Sequence, residues 1–165
     1  MPEKFDENEW FIVISTLIAL IIVKILPKRF PIIITILLCL FISAVSKIVD
    51  HLLSGSTLVN LYDFNDSTKY EYFDLFLQWI LYPIIGYLFV YWYDYWKEKR
   101  RNTLLLIVVI IVISTIYEAI SVKFKVFDFR EWYSYLSAAF YSFAFPITIF
   151  YYHVLKKWYE KINRI

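Results

Sequence analysis

A chain of 165 residues suits one domain, but 61% of it is hydrophobic and only two residues are glycine, which excludes a low-complexity or disordered chain and an ordinary soluble one. The formal net charge is +2, and the basic residues flank apolar runs instead of gathering in one patch, so no nucleic-acid partner is expected. A single cysteine, Cys39 within "ITILLCLFIS", rules out an internal disulfide and a cysteine zinc site, and reads as a packed apolar side chain.

Run length then decides the class. A helix rises about 1.5 Å per residue and a bilayer core is about 30 Å thick, so about 20 apolar residues cross it. Five runs meet that length, at 10–26, 31–53, 72–96, 103–122 and 132–156. The expected fold is an all-α integral membrane bundle of five transmembrane helices, forming a single transmembrane domain over 1–165.

The first run, Trp10–Leu26, follows "PEKFDENEW". That flank is acidic where a secretory signal needs a basic one, and "KILPKRFP" after it has no small-residue cleavage site, so a retained helix is expected. Pro27 and Pro31 bias their predecessors away from helix and predict a tight turn. On the second run Ser43, Lys47, Asp50 and His51 fall at i, i+4, i+7 and i+8, on one face. The stretch Gly55–Tyr70 is the longest loop, with apolar residues suited to the interface and with Asp66, Ser67 or Thr68 as candidate caps for the next helix. On the third run Glu71, Asp74 and Gln78 share a face, and Pro83 predicts a kink. The fourth run places Ser114, Glu118 and Ser121 at i, i+4 and i+7. A short turn is expected at Phe127–Arg130. The fifth run carries Ser134, Ser137 or Ala138, and Tyr141 on one small or polar stripe and a central Pro146. The third and fifth runs share a layout of aromatics, central proline, aromatics and lysine, a weak sign of two helix-pair repeats.

Charge sets the expected orientation. With the N-terminus outside and the C-terminus inside, eleven of the seventeen basic residues lie on the inner side, as the positive-inside rule requires. Twelve of the fifteen acidic residues then lie on the outer side. "YWYDYW" and "FYYHVLKKWY" form the inner aromatic belt, and "YEYF" and "EWYSY" the outer one. Asp94 is expected to meet Lys97 or Arg101, and His153 to lie at the interface.

In that orientation four polar stripes share one depth, which points to an interior polar cluster of Lys47, Asp50, His51, Asp74, Gln78 and Glu118. A charge at mid-helix costs about 2.5–3.5 kcal/mol on insertion scales, so Glu118 is expected to face inward and pair with Lys47, with Asp50 or Asp74 nearby. The bland reading is that this pair glues helices together and that Asp50 and His51 are solvated among headgroups. A metal site from His51, Asp50, Asp74 and Glu118 has suitable ligand types, but one histidine and no ligand-pair motif make no metal the expectation.

The turn "PKRF", the stretch "YFDLFLQWILYPIIGYLFVYWYDY" and the stretch "IYEAISVKFKVFDFREWYSYLSAAFYSF" resemble a group of small multi-spanning membrane proteins of spore-forming Gram-positive bacteria. The resemblance covers most of the chain. It implies a multi-pass protein of the bacterial plasma membrane and supplies no catalytic residues, because that group has no assigned activity.

There is no Walker A loop, dinucleotide-binding glycine loop, HExxH, GxSxG or EF-hand loop, so an ATPase, a dehydrogenase and a standard zinc protease are disfavoured. The leading expectation is a non-enzymatic membrane bundle, acting in a complex or as a surface sensor, with no cofactor. Its expected partners are the lipid bilayer and a second copy or another membrane protein. The first alternative is a small-solute or proton/cation carrier built on the polar cluster. The second is a lipid-modifying enzyme with Glu118 or Asp74 as general base beside Lys47.

Overall fold

The computed structural model describes residues 5–54, 60–64 and 72–163. Five helices carry these residues: α1 (Glu7–Ile25), α2 (Ile32–Leu53), α3 (Tyr72–Glu98), α4 (Thr103–Lys123) and α5 (Ser134–Ile162). All five are long and apolar enough to cross a membrane. The fifth runs six residues past the expected end at Lys156, because "KKWYEKI" contains no helix breaker.

Short polar devices set the ends. At the start of α1 the Glu9 carboxylate accepts the Asp6 backbone N–H at 2.9 Å, and at the start of α4 the Asn102 side chain accepts from the Leu105 N–H at 3.1 Å. Helices α3 and α4 end alike. Arg100 and Lys125 adopt left-handed φ values of 51° and 57°. The next residues reach back five positions, Arg101 N–H to Trp96 and Val126 N–H to Ser121. This is the six-to-one bond that closes a helix when a left-handed residue follows it.

Helix α3 packs against each of the other four. Its stretch Leu77–Leu81 widens into a π-type turn just before Pro83. A proline removes one backbone donor, and a wider turn is one way of absorbing the mismatch. At Gly86 α2 approaches so closely that an added Cβ would press on Ile42. Packing divides into two clusters. One, toward the turn between α1 and α2, gathers Leu38, Phe89, Val90, Leu106 and Tyr152. The other, toward the opposite end, gathers Ile12, Leu77, Leu81, Tyr62 and Val126.

Two connections at that opposite end pair as strands, β1 (Tyr62–Phe64) and β2 (Phe127–Phe129), antiparallel with Tyr62 opposite Phe129. The Phe127–Arg130 segment, expected as a simple turn, is therefore half of a two-stranded cap. The Leu61 carbonyl faces the N–H groups of Arg130, Glu131 and Trp132 at 3.0–3.1 Å, and the Leu61 N–H donates to Leu53 at 2.8 Å. Arg130 also pairs with Asp63. These bonds bind the second connection to the fourth. The candidate caps Asp66, Ser67 and Thr68, and Glu71, lie outside the described residues.

Candidate polar site beneath the strand cap

Under the cap, α2 contributes Asp50 and α3 contributes Gln78, both buried. The Gln78 amide donates to Asp50 Oδ2 at 2.9 Å, and the Tyr62 hydroxyl of β1 donates to Asp50 Oδ1 at 2.8 Å. Lys47, one helical turn before Asp50, donates to Gln78 Oε1 at 3.4 Å. Gln78 sits in the π-type stretch of α3.

Glu118 of α4 takes different partners. It accepts from Ser137 and, at 2.6 Å, from the Tyr141 hydroxyl, both on α5. Ser137 in turn accepts the Trp132 indole N–H at 2.7 Å. The Trp132 ring lies edge-on to Tyr62 with centroids 5.7 Å apart, so this group adjoins the Asp50 group. Burial, and then the Asp50 carboxylate beside it, hold the Tyr62 phenol well above its ordinary pKa, with Glu118 adding to the effect.

The geometry corrects several expectations. Among the described residues the ion pairs do not include Lys47 with Glu118. Asp50 is instead met by neutral donors from β1 and α3, and Glu118 by neutral donors from α5. His51 is exposed. Asp74 is buried on α3. Ser121 returns its hydroxyl to the Tyr117 carbonyl at 2.9 Å and does not join Glu118. Tyr62 and Trp132, interfacial aromatics by sequence, belong to the network as well. No group of three or more His, Cys, Asp or Glu side chains among the described residues is placed to hold a metal ion.

A second polar group lies at the other end of the bundle. Asp94 of α3 accepts from Arg29 in the α1–α2 turn at 2.7 Å, and from Lys156 at 3.0 Å and Tyr152 at 2.6 Å on α5. Arg29 also pairs with the exposed Glu98. Burial opposes the Arg29 charge, but Glu98 and Asp94 outweigh it and hold the guanidinium above its usual pKa. Asp94 thus meets Arg29 and Lys156 in place of the expected Lys97 or Arg101. Lys97 and Tyr93 approach His153 Nε2 at 3.2 and 3.0 Å. Lysine can only donate, so Nε2 is an acceptor and the ring proton sits on Nδ1.

In comparisons with known proteins, the chain matches no family model, no curated protein and no solved structure.

Proposed function

We propose that the chain is a non-enzymatic integral protein of the bacterial plasma membrane that acts in a complex or as a sensor at the cell surface. Its N-terminus and strand cap lie outside and its C-terminus inside, with the basic turns facing the cytoplasm. The observation that carries this reading is the bonding of Asp50 and Glu118. Their hydrogen-bond donors, Tyr62 and Gln78 in one case and Ser137 and Tyr141 in the other, tie the cap and neighbouring helices together. An intramembrane carboxylate calls for a functional explanation by default. Here the partners make it a fastener that sets the position of an outward-facing cap, the surface a partner or signal would meet.

A second reading has one observation behind it. Asp50, Asp74 and Glu118 all belong to the same end of the bundle, and carboxylates there are the groups a proton or cation carrier would use. Proteoliposomes separate the two. Wild type and Glu118→Gln, placed under proton and cation gradients, are expected to leak no faster than empty vesicles. A wild-type flux that Glu118→Gln abolishes would replace the sensor reading with the carrier.

A further inference from the structure

A groove of about 580 Å³ lies along α1 at the strand-capped end, within the range of about 300–1,000 Å³ typical of small-molecule sites. Its walls are Trp10, Phe11, Ile14, Ser15, Ile18 and, from just beyond α4, Phe124. Phe11 stacks on Phe124 with centroids 4.8 Å apart, and this contact bridges α1 to the end of α4. Asp6 and Glu7, where α1 begins, complete the lining.

We propose that this groove binds phosphatidylethanolamine, with an acyl chain along the α1 wall and the ammonium at Asp6 and Glu7. The inference rests on the helices standing in a bilayer and on neither reading of the polar network. Two observations carry it. First, the wall is apolar for more than two helical turns, from Trp10 to Ile18, which suits hydrocarbon. Second, the charged lining residues are both acidic and lie beside Trp10, a residue that favours the headgroup level. A primary ammonium complements two carboxylates and donates hydrogen bonds to them, whereas a headgroup with net negative charge is repelled.

A second copy of the chain is a poorer occupant. A two-fold contact brings the same patch of each copy together, so Asp6 and Glu7 would face their own equivalents.

Native mass spectrometry of the full-length protein in detergent provides the test, with equimolar phosphatidylethanolamine, phosphatidylcholine and phosphatidylglycerol of matched chains. Wild type should retain phosphatidylethanolamine severalfold over the other two. Asp6→Asn/Glu7→Gln should lose that preference while remaining folded by circular dichroism, since asparagine caps a helix as well as aspartate does. Ser15→Phe, which fills the groove, should retain less of every lipid. Equal retention of the three lipids by wild type would overturn the proposal. So would an undiminished preference in the double variant, or a dimer in which the lipid is displaced.

Discussion

Tyr62 of β1 donates its hydroxyl proton to Asp50 of α2 across 2.8 Å, joining a surface strand to the buried end of a helix. The bond is charge-assisted when Asp50 is ionised, and such bonds are roughly twice as strong as neutral ones. Tyr62→Phe should therefore cost about 1–3 kcal/mol, because it leaves a buried carboxylate short of a donor. Unfolding in detergent measures it. A cycle of Tyr62→Phe, Asp50→Ala and the double variant should show coupling above about 0.5 kcal/mol. Additive losses would mean that the cap does not lean on Asp50.

The same pair gives a pH dependence. The Tyr62 phenol is held above its ordinary pKa of about 10, so folding favours its protonated form. Its contribution is complete below about pH 10 and declines as pH rises further, because the unfolded phenol ionises first. Wild type should lose stability more steeply than Tyr62→Phe above pH ~10. Parallel curves for the two proteins would contradict the assignment.

Helical spacing made much of this legible and left a definite part hidden. It groups side chains on one face of one helix, so Lys47 with Asp50 and Asp74 with Gln78 follow from periodicity alone. It does not say how helices rotate against each other. Helix α4 is apolar nearly all round, with exposed residues from Leu104 to Ile120, so its sequence does not fix where Glu118 points. Spacing and charge therefore point Glu118 to Lys47, whereas its partners are Ser137 and Tyr141. The strand cap was harder still. Three-residue strands carry too little alternation to be read, and the paired residues lie 63 to 67 positions apart in the chain, from Phe64 with Phe127 to Tyr62 with Phe129.

Ser137 is the joint of the Glu118 group, because it donates to Glu118 and accepts from Trp132. Ser137→Ala removes both bonds at once, whereas Tyr141→Phe removes one. Each buried group left unpaired costs about 1–3 kcal/mol, so Ser137→Ala should be the more damaging. It should also alter Trp132 fluorescence, read as the difference from a Trp132→Phe background. An unchanged Trp132 signal would show that the indole bond is not made.

Gly86 marks a close approach of α2 and α3, where an added Cβ would lie 3.2 and 3.3 Å from Ile42 Cγ1 and Cγ2. In an isolated helix Gly→Ala is favourable by about 1 kcal/mol. Here overpacking should reverse that sign, at a cost of about 1–3 kcal/mol. Ile42→Val removes the Cδ1 methyl, the atom most crowded by the added carbon. Gly86→Ala/Ile42→Val should thus lose less stability than the two single changes summed. A stabilising Gly86→Ala would mean that the helices stand further apart.

At the far end, Arg29 bridges two carboxylates in different surroundings. The Asp94 side chain is 12% exposed and that of Glu98 is 62%. Removing one partner of a buried charged group strands the others, at about 3–5 kcal/mol, while an exposed pair is weakened by solvent and salt. Asp94→Ala leaves Arg29, Lys156 and Tyr152 without their shared acceptor and should lower the unfolding midpoint sharply. Glu98→Gln should barely move it, and any shift should shrink as salt rises. Comparing both variants by thermal unfolding at low and high salt decides the matter. Equal losses would place Arg29 chiefly on Glu98 and leave Asp94 to Lys156 and Tyr152.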